Sequence, residues 1–289
     1  MGVRELRGRI KSVGNIKQIT RAMEMVATTK LRRFQDRAVS SRPYTEEITK
    51  LVETLSGLLG DEISDRPLFQ PGAGKGTALL LVTSDRGLCG AYNSNIFRKL
   101  EGWLANRDEE DGPVRFYVVG RKGYQYLTKT GREVERFLVE PPLEQISYAS
   151  ARATARILVD AFLAGEVANV QVFYTAFESM VRYVPTVFQL LPLAFEGGEE
   201  DGASTDVILE PDPETIFDQV VPKYIETRIF NSQLEALTSE FASRRVSMKN
   251  ATDAATDMQS VLKGQYNRLR QETITKELLD IVGGAEALR

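Results

Sequence analysis

The chain contains no histidine. Histidine is the commonest general base and transition-metal ligand, so its absence removes Ser-His and Cys-His nucleophile pairs and the usual zinc sites, and lowers the expectation of catalysis. Cysteine occurs once, at Cys89, which excludes an intrachain disulfide and suits a reducing compartment. Long apolar runs are missing too. The longest spans Ala78 to Val82, far below the roughly 20 residues that a membrane span needs. Arg4, Glu5, Arg7, Arg9 and Lys11 interrupt any N-terminal apolar segment, so a secretory leader is not expected. Proline is absent before Pro43 and after Pro222, which leaves an uninterrupted stretch at each end.

Both stretches carry a helical period. Phe230, Leu234, Leu237, Phe241, Arg244, Met248, Ala251, Ala255, Met258, Leu262, Gln265 and Leu269 keep 4-3 spacing, and only Arg244 and Gln265 among them are polar. A sustained period of 3.5 marks a left-handed coiled coil, because it keeps one seam towards a partner helix; the rod would be roughly 60 Å long. At the other end Val3, Leu6, Ile10 and Val13 form one register. Ile16, Ile19, Met23 and Val26 continue it after a three-residue step, which predicts a small phase slip. Pro43 is expected to stop or kink this helix, with a second helix over Tyr44 to Leu59. The two ends most simply pair as an antiparallel hairpin; an intermolecular dimer is the rival that periodicity leaves open.

The first 42 residues hold 11 Lys/Arg against Glu5, Glu24 and Asp36, which reads as a solvated basic face or a surface for an acidic partner. Nucleic acid is not expected, since the net charge is -3 and no binding module is present. A chain of 289 residues, 42% hydrophobic and 27% charged, suffices for one sizeable domain plus an extended element.

The middle is different. Pro67 to Gly76 reads as a linker, then Thr77 to Thr83 as a strand buried on both faces. Helices over Asn93–Leu104, Lys122–Thr130 and Ala149–Ala164 alternate with strands over Val114–Val119, Asn169–Thr175 and Thr186–Leu191, which predicts a Rossmann-like α/β lobe. Gly72 to Thr77 has the look of a phosphate loop, but its spacing is wrong and it precedes a strand where such a loop should follow one. Cys89, beside Arg86 in the turn Ser84 to Gly90, is expected to be a small buried hydrophobe more than an activated thiol. Glu196 to Asp218 has nine acidic residues and no basic one and is expected as a solvated loop, with Asp212-Pro213 opening the terminal helix.

Three blocks carry a resemblance: Ile19 to Ala27 (ITRAMEMVA), Thr83 to Asn93 (TSDRGLCGAYN) and Ile274 to Ala285 (ITKELLDIVGGA). Together they resemble the γ subunit of F-type ATP synthase, bacterial type, in order and over nearly the whole chain. The resemblance implies an α+β fold, with a long antiparallel coiled coil of the N- and C-terminal helices plus the α/β lobe. Its domains would be 1–60, 61–210 and 211–289. It further implies a rotor shaft that couples ion flow, expected to be protons, to ATP synthesis or hydrolysis, and that has no catalytic residue and no cofactor of its own. Its partners would be the hexamer of three α and three β subunits, the ε subunit and the membrane ring of c subunits, at the cytoplasmic face of the cell membrane. By the same resemblance Met23, Arg244, Arg270, Gln271, Thr275 and Glu277 contact the hexamer, while Ile281, Val282, Ala285 and Leu288 form an apolar bearing tip. The rival function is a homodimeric coiled-coil adaptor.

Overall fold

The terminal helix opens where its capping chemistry places it. The Asp212 carboxylate accepts the Thr215 N–H at 2.8 Å, and Pro213, with no N–H to lose, takes the first turn. The structure, a computed structural model, describes residues 2–63, 65–194 and 212–287, with side chains except at 61, 109 and 283–287. Helix α1 spans Val3–Leu59 (57 residues) and α5 spans Pro213–Ala287 (75 residues). Between them lie β1 (Thr77–Val82), α2 (Tyr92–Ala105), β2 (Val114–Val119), α3 (Arg121–Lys129), β3 (Val134–Leu138), α4 (Tyr148–Leu163), β4 (Asn169–Phe177) and β5 (Tyr183–Leu191). The chain divides into two compact units, residues 1–29 with 244–289, and residues 30–243.

In the larger unit the strand order is β3-β2-β1-β4-β5, parallel except for the antiparallel β4–β5 pair. The chain moves one way from β1 through β2 to β3, then crosses back past β1 to β4. Right-handed crossovers therefore place α4 on the opposite face from α2 and α3. Every residue of β1 is buried, as its unbroken apolar run predicts. Leu79 and Leu81 join Phe116, Val118 and Phe173 beneath Ile96 and Leu100 of α2 and Leu127 of α3. Burying each such leucine or phenylalanine contributes about 1.5–3 kcal/mol.

The glycines that imitate a phosphate loop have a packing role. A Cβ on Gly72 would lie 2.2 Å from the Val167 carbonyl oxygen, and one on Gly74 2.4 Å from that of Gly165. Gly76, at φ +89°, would meet the Pro113 oxygen at 2.0 Å. The loop instead exchanges backbone hydrogen bonds, Gly72 N–H to Ala168 O and Ala168 N–H to Gly76 O.

Pro43 does not end α1, and the two helices expected on either side of it are one element. A proline removes only one donor, and the stretch before it is open to water, with Val39 59% exposed. The strand β3 was not anticipated, because it is a short edge strand whose Glu135 and Arg136 face solvent. Likewise β5 begins three residues earlier than predicted and contains Pro185, which edge strands tolerate.

In this unit α5 lies buried on nearly all sides from Ser232 to Ser243. The Phe241 ring packs at a tilt, 5.4 Å between centroids, against Phe34 of α1, and the Asn231 amide donates to Thr45 Oγ1 at 2.7 Å. The lobe grips it by hydrogen bonds: Tyr92 Oη to Ala236 O (3.0 Å), Ser239 Oγ to Thr175 O (3.1 Å) and Ser243 Oγ to Cys89 O (2.6 Å).

In the smaller unit α1 and α5 pair antiparallel. The Thr20 and Thr252 hydroxyls are 2.8 Å apart, and Arg7 Nη2 donates to Tyr266 Oη at 3.2 Å. Val3, Leu6, Ile10, Val13, Lys17, Thr20, Glu24 and Ala27 on α1 are buried or half-buried in unbroken 3-4 steps, with Gly14 and Met23 half-buried beside them. The predicted phase slip is absent. On α5 the seam is Met248, Thr252, Ala255, Gln259, Leu262, Tyr266 and Leu269, so Met258 and Gln265 are not part of it. Apolarity alone misplaced these lines because the polar residues Thr252 and Tyr266 make hydrogen bonds to α1 and Gln259 lies beside Gly14.

Candidate partner-contact surfaces

The predicted contact residues do not form one cluster. Arg244 is 7% exposed, set in the buried stretch at the base of the smaller unit's α5 segment. Met23 is half-buried at the edge of the α1 seam. Arg270, Gln271, Thr275 and Glu277 are exposed. Extending the spacing from the Arg7–Tyr266 pair, Val3 lies level with about residue 270, and from there to residue 282 every side chain of α5 is exposed among the described residues. At about 100° per residue, Gln271 and Thr275 share one side of the helix and Arg270 and Glu277 another.

The tip carries an apolar line on one side, and Leu279, 66% exposed, lies among the polar residues of the other. Ile281 and Val282 are 69% and 58% exposed, and Ile274 and Leu278 lie on the same side. Glu272, Lys276 and Asp280 occupy the opposite side. The Ala285 side chain and Leu288 lie outside the described residues. A second apolar line was missed. Ile16, Ile19 and Val26, expected inside the seam, are 51%, 59% and 54% exposed. The legible signal was Thr20, a polar residue that keeps seam spacing with Leu6, Val13 and Ala27.

Two cavities of about 210 Å³ open in the larger unit. One, at the C-terminal ends of β1 and β2, is lined by Asp85, Arg86, Arg121 and Glu144. Its two carboxylates are already engaged: Asp85 accepts the Arg121 backbone N–H, and Glu144 pairs with Lys30. The other lies between α1, α5 and β4 beside Glu235. Burial pushes the Glu235 carboxyl above its ordinary range, although the Phe177 N–H and the Tyr174 hydroxyl hydrogen-bond to it. Burial and the Glu235 charge push Tyr174 up to about 12. Cys89 is 2% exposed and takes a hydrogen bond from Asn93 Nδ2 at 3.2 Å, a packed thiol as expected. Among the described residues no group of three or more Cys, Asp or Glu is placed to hold a metal ion, and no helix is long and apolar enough to cross a membrane.

Comparison with known proteins bears on this geometry. A family model described as ATP synthase matches residues 2–288. The ATP synthase gamma chain of Mycobacterium marinum is 41% identical over 304 residues, covering 99% of this chain and 97% of that one. The chain belongs to the ATP synthase gamma chain family. The gamma chain of Mycolicibacterium smegmatis is 42% identical over 307 residues, with the same coverage, so the relatives are of the bacterial type. Among solved structures, a chain of the Euglena gracilis mitochondrial ATP synthase, described as OSCP/F1/c-ring in rotational state 3, matches at TM-score 0.66 and 20% identity, over 99% of this chain and 94% of that one. A chain of the Tetrahymena thermophila mitochondrial ATP synthase, described as central stalk/c-ring, matches at TM-score 0.59 and 24% identity, over 81% and 99%. At such identities these two likenesses show the fold alone, two long helices and a five-stranded mixed sheet.

Proposed function

We propose that this chain is the central-stalk rotor subunit of an ATP synthase, an asymmetric shaft that couples ion flow through a membrane ring to ATP synthesis or hydrolysis at an α/β hexamer. The observation that carries the reading is the smaller unit. Its outward surfaces are an apolar line on one side of α1 (Ile16, Ile19, Val26) and a single α5 helix with one apolar side. A conformational equilibrium shifts only by differential contact energy. Three equivalent catalytic subunits around a body with distinct sides make different contacts with it, and turning the body exchanges those contacts.

Met23, Arg244, Arg270, Gln271, Thr275 and Glu277 are the proposed hexamer contacts, and Ile281 and Val282, with Ala285 and Leu288, the bearing tip. Residues 1–60 and 211–289 serve as the shaft, and 61–210 as the lobe that meets the ε subunit and the c-ring. The chain performs no chemistry itself and sits peripherally at the cytoplasmic face of the membrane. A homodimeric adaptor zipped through the α5 stripe is disfavoured, because Thr252, Gln259 and Tyr266 already face α1 of the same chain. Co-purification with α and β subunits tests the proposal. One copy per three α and three β supports it; a free homodimer that ignores both overturns it.

A further inference from the structure

Over residues 16–27 the seam that α1 uses is the less apolar of two available to it, whereas before that Val3, Leu6, Ile10 and Val13 make it the more apolar. Lys17, Thr20, Glu24 and Ala27 point inward, while Ile16, Ile19, Met23 and Val26, each one residue earlier, lie about 100° round the helix. Ile16, Ile19 and Val26 are more than half exposed, and on α5 Met258 and Val261 are 57% and 60% exposed. Over residues 16–27 burial of apolar surface alone would roll the helices so that these residues met, a roll that the burial of Leu6 and Val13 opposes. Polar groups of the observed seam oppose it as well.

Two hydrogen bonds, one part-buried and one at the exposed edge, and a close approach between them, spaced by about a heptad, are placed to do so. The Thr20 and Thr252 hydroxyls meet at 2.8 Å. A Cβ on Gly14 would lie 3.0 Å from Gln259 Nε2, so the glycine leaves a notch beside the amide. Arg7 donates to Tyr266 Oη at 3.2 Å, its guanidinium carbon 5.9 Å from the ring centre. Steps of seven along α5 are matched by steps of six and seven backwards along α1. A polar residue inside a coiled-coil seam fixes register and orientation, because slippage leaves its polar atoms without partners.

We propose that these contacts form a ladder that sets the roll and register of α1 against α5, and so holds Ile16, Ile19 and Val26 outward. Thr20, Gly14, Gln259, Thr252, Arg7 and Tyr266 are positioning residues. They touch no partner; they decide which side of α1 a partner meets. That this outward side meets the hexamer rests on the function proposed above, whereas the effect of the ladder on roll does not.

The test uses the full-length chain with Cys89→Ser and one introduced cysteine, either Ile19→Cys (outward) or Val13→Cys (seam, the parent residue 8% exposed). Labelling by a water-soluble maleimide is expected to be at least tenfold faster at position 19. In a variant carrying Thr252→Ala, Gln259→Ala and Tyr266→Ala, that ratio is expected to fall below threefold or invert. An unchanged ratio in a chain whose circular dichroism stays helical overturns the ladder. If the triple variant loses its helicity, Thr252→Val decides: it keeps the shape and removes one hydroxyl, and a fall in the ratio of at least threefold is expected, with no change refuting the proposal. Proton pumping per ATP hydrolysed by the assembled complex separates the two claims. A changed labelling ratio with parental pumping supports the ladder and counts against the hexamer-facing role of Ile16, Ile19 and Val26.

Discussion

Helix α5 lives under two regimes. From Ser232 to Ser243 it is enclosed by the lobe and α1, hydrophobic or hydrogen-bonded on every side. From Met248 to Leu269 it keeps one narrow seam, and from residue 270 to 282 every side chain is exposed. The difference separates anchoring from presentation. The enclosed stretch draws its stability from burial, whereas the distal stretch relies on helix propensity and a seam with polar layers, and its surface stays available.

The largest expected effect contrasts the two stretches directly. Leu237 is fully buried, so Leu237→Ala should cost about 2–5 kcal/mol, while Leu262→Ala, in the half-buried seam, should cost about 1 kcal/mol. Trp103 reports the lobe, since its ring packs edge-on at 5.3 Å against Phe173. Urea titration should show the Trp103 fluorescence transition moving for the first variant and not for the second. Equal shifts in both would erase the distinction between the regimes.

Met23→Lys probes the presenting surface. The new ammonium reaches solvent from a half-buried edge, so helicity should change little. Coupling of hydrolysis to proton pumping should fall by about half or more if the side chain meets a carboxylate-bearing partner, given about 4 kcal/mol for a close pair near a protein surface. Parental coupling would remove Met23 from the contact set.

A smaller effect belongs to the lobe. Arg132 grips Glu101 with two hydrogen bonds of 2.6 and 2.7 Å, and Tyr126 adds a third at 2.6 Å. The Arg132 hydrogen bond holds the Glu101 carboxyl below its ordinary 4.5. Its contribution is therefore present above that pH and lost as pH falls through the depressed folded value. Arg132→Leu should cost about 1 kcal/mol at pH 7 and nothing in acid, read from melting curves across that window.

The smallest effect has the opposite sign. Glu235 is raised above 4.5 by burial, so the folded chain retains a proton that the unfolded chain releases. Parental stability then declines as pH rises from 4.5 through the folded value, and Glu235→Gln should flatten that decline. The melting temperature should rise by about 1–2 °C at pH 7 and stay unchanged near pH 4. A drop at pH 7 would mean that the carboxylate's hydrogen bonds outweigh its burial.

The lobe was largely legible because its signals are strong. The apolar run before Thr83 and the alternation of Val114 to Val119 gave both central strands within a residue. The strand β3 was hidden by Glu135 and Arg136, whose place at a sheet edge depends on tertiary pairing. Pro43 misled because a proline's local preference was weighed without the helical context on either side of it. The coiled coil was legible as a pair of periodic helices, but its register was not. Counting apolar residues selected Ile16, Ile19 and Met258, whereas the hydroxyl of Thr20 and the notch at Gly14 acquire meaning only when the opposite helix is present. Contact residues along residues 270–282 emerged from likeness to a family; nothing in their spacing alone distinguishes them from a solvated helix.

One consequence follows from the unequal ends of the hairpin. Where the paired stretch gives way to the exposed turns from residue 270 to 282, the cross-section among the described residues thins from two helices to one. Resistance to bending depends steeply on thickness, so flexure concentrates just past that step. A grip on the final turns can deflect them sideways like the free end of a cantilever, without prising open the zipped portion below.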